Sequence, residues 1–139
     1  MPSQAAIIQV RQDFERIQAV YNRIVLAISD NRLPEYGLIL DATGEIRKCA
    51  NRLKKHLALP ALDDKGESKE KADLKEEEIR PSLQMLCLHI AKFVTNPVFE
   101  TAGVIDVEQS AKASKDLEEI IEISEVVWRS TEKLAGAKK

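Results

Sequence analysis

Aromatic residues make up only 4% of this 139-residue chain, glycine and proline number five each, and cysteine two. Each scarcity closes an option. With so few rings, the core has to be built from Leu, Ile, Val and Ala. Few turn-forming residues disfavour many short strands and favour long helices. Two cysteines are too few for a secreted disulfide scaffold, which points to a reducing, cytoplasmic setting. Charge of either sign is not in excess: 21 basic residues face 23 acidic ones, for a net of −2. No global field therefore steers the chain to nucleic acid or to an anionic lipid surface. No apolar run approaches the ~20 residues that span a bilayer. The opening Met1-Pro2-Ser3-Gln4 has neither the basic n-region nor the apolar h-region of a secretory leader.

What is present is periodicity. Ile7, Val10, Phe14, Ile17, Tyr21, Ile24 and Ile28 recur at steps of three and four, which keeps one stripe of a helix facing a partner. The spacing predicts a first helix from Ser3 to about Asp30, then a break ending at Pro34. A second helix follows to about Leu59, with the stripe Ile39, Ala42, Ile46, Cys49, Leu53 and His56 or Leu57. The stripe keeps its phase across Gly44, so one continuous helix is expected. Asp, Glu, Lys and Arg fill thirteen of the eighteen positions 63–80. Such a segment buries too little apolar area to offset its ordering entropy, and residues 60–73 read as a mobile linker.

Asp73-Leu-Lys-Glu76 has the form of a capping box, so the third helix starts either there or at Pro81. Its stripe is Ile79, Leu83, Leu86, Ile90 and Phe93, and Asn96-Pro97 ends it. Val98, Phe99, Val104 and Ile105 are expected to cap one end of the core. A fourth helix opens at Asp106, with Gln109 as its box partner, and ends near Gly136. It carries Ala113, Leu117, Ile120, Ser124, Val127 and Leu134, widened by Ile121 and Trp128. The expected fold is all-α: a single domain over 1–139, a four-helix up-and-down bundle with the charged linker between its second and third helices. Sequential helices would be antiparallel neighbours, and the second and fourth would lie on a diagonal.

Some apolar residues fall outside the stripes. Met85 and Leu88 share the arc of Gln84 and Lys92, while Ile123 and Val126 share that of Glu119 and Ser130. The four read as a partner-binding patch, with a second copy of the chain as the expected occupant and a homodimer as the result. Arg47, Lys48, Arg52, Lys54 and Lys55 give the second helix a basic face. Arg47, Lys48, Arg52 and Lys55 are candidates for docking an acidic protein partner; nucleic acid is the weaker reading, without interleaved aromatics. Glu118, Glu122 and Glu125 form an acidic stripe on the fourth helix. With those two helices on a diagonal, such faces would meet between subunits.

Metal chemistry fails on spacing. Cys49 and His56 share a face two turns apart, about 10 Å, and neither histidine follows a Glu three residues earlier. His56, near a helix end, reads as a partly buried neutral imidazole or one favourably placed at the helix C-terminus; a buried pair with Asp13 is the alternative. No Gly-x-Ser-x-Gly and no Gly-rich phosphate loop occurs. A helical ribonuclease family pairs Arg with a His four to six residues later; Arg52 with His56 and Arg80 with His89 do not have that spacing. His89-Ile-Ala-Lys92 resembles the histidine phosphotransfer domains, which are helical bundles of similar length. The resemblance covers four residues and implies His89 as phosphoryl acceptor and Lys92 as charge partner. Taken together, the residues lead to a non-catalytic, cytoplasmic helical-bundle interaction module with no cofactor, and to phosphotransfer through His89 as the alternative.

Overall fold

The computed structural model describes residues 4–29, 32–57, 72–96 and 107–137. They form four helices: α1 Gln4–Ile28, α2 Tyr36–Leu57, α3 Glu76–Val94 and α4 Val107–Ala137. No strand occurs among the described residues. Residues 60–71 of the expected linker lie outside them, as do Val98, Phe99, Val104, Ile105 and Asp106.

Helix α2 runs without a break through Gly44. The Trp128 ring of α4 packs over this position, and its Nε1 would lie at an ordinary contact distance of 3.6 Å from a Cβ there. The start of α3 sits two residues beyond the expected capping box. Lys75 is the N-cap, with extended backbone. Its N–H donates to the Glu78 carboxylate at 2.9 Å, and the Glu78 N–H donates back to the Lys75 carbonyl at 2.9 Å. Glu76, Glu77 and Glu78 then place negative charge at the positive end of the helix. Asp73 is engaged elsewhere, accepting from Arg129 at 3.0 Å and Lys133 at 2.5 Å, both on α4. Helix α3 passes through Pro81 in its second turn. The hydrogen bond that proline cannot donate would have gone to the Glu77 carbonyl. Both residues are on the exposed side, where that carbonyl meets water at little cost.

The helices pack as a bundle in which every adjacent pair is antiparallel, but the order around the bundle is not the sequential one. Helix α1 packs on α2 and α3, and α4 packs on α2 and α3. Arg23 meets Asp41 while Arg52 meets Asp13, so α1 and α2 run oppositely. Arg80 near the start of α3 donates to the carbonyl of Ile28 at the end of α1, whereas Phe93 near its end stacks on Phe14. Trp128 lies against Gly44, and Lys54 against Glu118, which sets α4 antiparallel to α2. It follows that α2 and α3 run in the same direction across a diagonal, and that α2 and α4 are neighbours rather than diagonal partners. The physical reason is connection length. Short connections force antiparallel adjacency at the two ends of the chain. The eighteen positions between Leu57 and Glu76 reach ~60 Å at full extension and impose no such constraint.

The core follows the stripes. Ile17, Ile24, Ile39, Ile46, Leu53, Ile79, Leu83, Leu86, Ile90, Phe93, Leu117 and Ile120 are fully buried, each burial contributing roughly 1.5–3 kcal/mol. Phe14 and Phe93 stack with ring centroids 5.5 Å apart. That contact fixes the level at which α3 ends against α1. Ile7, two turns before Phe14, lies beyond it and is exposed despite its place in the stripe.

Candidate functional site

The four apolar residues expected to share a surface patch are divided by the fold. Met85 and Leu88 on α3 are 47% and 46% exposed, whereas Ile123 and Val126 on α4 are 7% and 5% exposed and belong to the core. Helix α4 lies between α2 and α3 and buries an arc much wider than one stripe. Trp128 faces α2 on one side. On the other, Ser130 accepts the Leu74 N–H at 2.8 Å beside the start of α3. Ile123 and Val126 fall on the α3 side of that arc, so they cannot anchor a partner at the surface.

The basic face of α2 is largely taken up within the chain. Lys54 pairs with Glu118 at 2.5 Å, a direct consequence of α2 and α4 being neighbours. The Arg47 guanidinium lies 5.0 Å from the centroid of the Trp128 ring, a cation–π contact. Arg52 turns to α1. Its Nη2 donates to Asp13 Oδ1 at 2.8 Å, and its Nε to Oδ1 at 3.0 Å and Oδ2 at 3.2 Å. Lys48 and Lys55 are exposed. The four residues expected to dock an acidic partner therefore do not present one continuous face.

Asp13, the alternative partner for His56, meets Arg52 instead, one turn earlier on α2. Gln9 Nε2 also donates to it at 3.2 Å. The Arg52 pKa is raised, first by the hydrogen bond to Asp13. Cys49 lies beneath this pair, with its Sγ 3.6 Å from Arg52 Nη2. Burial, and then the Asp13 charge, pushes its thiol up to about 11. Burial alone does the same to Cys87, also to about 11. Both thiols stay protonated at neutral pH and are poor nucleophiles. Among the described residues, no group of three His, Cys, Asp or Glu side chains could hold a metal ion, and no helix is long and apolar enough to cross a membrane.

A different set of residues converges where α3 ends and α4 begins. Helix α3 closes with Thr95 N–H and Oγ1 both donating to the Ala91 carbonyl and Asn96 N–H to that of Phe93. The buried Asn96 side chain crosses to α4, donating from Nδ2 to the Gln109 carbonyl at 3.0 Å. This link holds the two helix ends at a fixed separation. Between them lies an open cleft of about 470 Å³ lined by His89, Lys92, Thr95, Asn96, Gln109, Lys112, Lys115 and Asp116. His89 Nδ1 is 3.0 Å from Asp116 Oδ1, both half-buried. An ionised carboxylate only accepts hydrogen bonds, so Nδ1 carries the hydrogen and Nε2 is the remaining nitrogen. Phe93, next to Lys92 in sequence, is buried against α1 and leaves the cleft clear.

The structure thus brings His89 and Lys92 to one cleft, as their spacing of one turn implies, and adds Lys112, Lys115 and Asp116 from α4. Sequence reading missed these three. Their signal was present in the three- and four-residue steps that put them on one face at the start of a helix. No protein family, no curated protein and no solved structure matches this chain.

Proposed function

We propose that this chain is a non-catalytic interaction module that captures an acidic group of its partner in the cleft between α3 and α4. The observation that carries the reading is the convergence of Lys92, Lys112 and Lys115 on one cleft that also holds the His89–Asp116 pair. All three lysines are exposed. Among the described residues none of them forms an ion pair, in contrast to Lys54 and Arg52 on α2. Ammonium groups held on two helices create a fixed positive potential that draws an anion in and fixes its orientation.

Calorimetric titration at low ionic strength with inorganic phosphate, succinate and a glutamate-rich peptide tests this. At least one of them should bind in a 1:1 ratio. Lys92→Glu with Lys112→Glu should weaken that binding at least tenfold and leave the unfolding midpoint unchanged. Absence of binding by all three would sink the reading.

The second reading is covalent. Orientation of His89 by Asp116 leaves Nε2 as the nitrogen that would attack the phosphorus of a phosphodonor. The P–N bond would form as the donor's bond to its leaving group breaks, with Lys92 offsetting the charge. Incubation of wild type and His89→Ala with acetyl phosphate distinguishes the two: acid-labile phosphate on wild type alone would favour the covalent reading.

A further inference from the structure

The geometry points to a phosphate monoester, rather than a carboxylate, as the group that the α3–α4 cleft recognises. The inference rests on the anion-capturing role proposed for this cleft and names the chemistry of the anion. Three observations carry it. The first is charge. Three ammonium groups against the single Asp116 carboxylate leave the lining two charges positive, which matches a phosphate monoester dianion and exceeds the need of one carboxylate.

The second is the type of cation. The arginine fork grips carboxylate and phosphate alike, whereas lysine ammonium groups act as separate point charges that need no planar partner and bind phosphate as such. The cleft is lined by lysines and no arginine, so it has no guanidinium fork to grip a planar carboxylate at both oxygens as Arg52 grips Asp13.

The third is arrangement. Lys92 comes from α3, and Lys112 and Lys115 from α4. The donors approach from two walls, which the Asn96 bridge to the Gln109 carbonyl ties together. A tetrahedral group can turn one terminal oxygen towards each of the three ammonium groups, whereas a carboxylate has only two oxygens to share among them. The volume of about 470 Å³ accommodates the moiety bearing the phosphate as well.

A second open cleft shows the contrast. It lies on the α1–α2 face, encloses about 510 Å³ and is lined by Gln9, Gln12, Asp13, Glu15, Arg16 and Arg52. Its two cations are balanced by two carboxylates, Arg52 is committed to Asp13, and Arg16 lies 3.7 Å from Glu45. No surplus positive charge remains there for an anion.

The test is isothermal titration of the full chain at low ionic strength with phenyl phosphate and with benzoate, which share a ring and differ in the anion. Phenyl phosphate should bind at least tenfold more tightly. Lys112→Gln and Lys115→Gln, exposed and neutral, should each reduce that preference without altering thermal unfolding. Equal affinity for the two probes would overturn the phosphate inference and leave an anion-capturing cleft in place. Binding of neither, together with no binding of succinate or the glutamate-rich peptide, would overturn both.

Discussion

Replacing Arg52 by methionine should destabilise the bundle by about 3 kcal/mol. The Asp13 side chain is only 2% exposed, and three of the hydrogen bonds it accepts come from Arg52; Gln9 supplies another. Methionine keeps the aliphatic stem and removes the guanidinium, so the carboxylate is left buried with one amide donor. Removing one partner of a buried pair costs about 3–5 kcal/mol. The Arg52 side chain is 43% exposed, so water can reach the vacated edge of the carboxylate, which places the cost at the lower end of that range. The reverse change is milder. In Asp13→Asn the amide oxygen still accepts from Arg52 and the exposed guanidinium is solvated, for a cost of about 1–2 kcal/mol. The double variant should recover part of the loss, with a coupling of ~1.5–3 kcal/mol. Against a total stability of about 5–15 kcal/mol, the Arg52→Met effect is large, a fall in midpoint of roughly 10 °C at this chain length. Urea unfolding followed by far-ultraviolet circular dichroism measures all three variants. An Arg52→Met cost below about 1 kcal/mol, or a larger cost for Asp13→Asn, would refute the reasoning.

The two halves of the divided apolar patch should respond oppositely to the same change. Ile123→Glu buries an unpaired charge and should cost more than about 3 kcal/mol, while Leu88→Glu should stay within about 0.5 kcal/mol, both read by urea unfolding. Gly44→Ala should stabilise the protein by ~0.5–1 kcal/mol in thermal unfolding, because the new methyl group would meet Trp128 at an ordinary contact distance. The two thiols should make stability sensitive to alkali. Their folded values lie near 11, above the ordinary thiol value near ~8.5. The contribution is full below that ordinary value and is lost as pH rises towards 11, since the unfolded chain releases these protons first. Cys87→Ala should flatten the decline in urea midpoint measured from pH 8 to pH 11.

The buried face of the third helix was legible in the sequence, because periodicity decides which face is buried and Ile79, Leu83, Leu86, Ile90 and Phe93 all are; its start was not, since Lys75 rather than Asp73 or Pro81 opens it. The fourth was legible only in part. A three-four repeat marks the centre of a buried stripe and says nothing of its width. Serines do not reveal it either: Ser130, which read as a solvent marker, is itself buried and bonded to Leu74. Ile123 and Val126 were misread for that reason. Pair register was the second hidden quantity. Asp13 could have faced His56 or Arg52, one turn apart, and the antiparallel offset of α1 against α2 selects Arg52. The order of helices around the bundle was the third, since a connection of eighteen positions leaves it open. That order places Glu118 beside Lys54 and absorbs the basic face of α2. The cleft depended on the same information. His89 and Lys92 were visible as a pair, but Lys112, Lys115 and Asp116 join them only once the end of α3 is pinned to the start of α4 through Asn96.

The most direct test of the cleft is a titration of isotopically labelled protein with phenyl phosphate, followed by amide proton–nitrogen correlation spectra. The largest saturable shifts should fall on His89, Lys92, Thr95, Asn96, Gln109, Lys112, Lys115 and Asp116, the residues lining the space between α3 and α4. Shifts centred instead on Gln9, Asp13, Arg16 and Arg52 would move the binding site to the α1–α2 face and contradict the proposal, as would a spectrum that does not change.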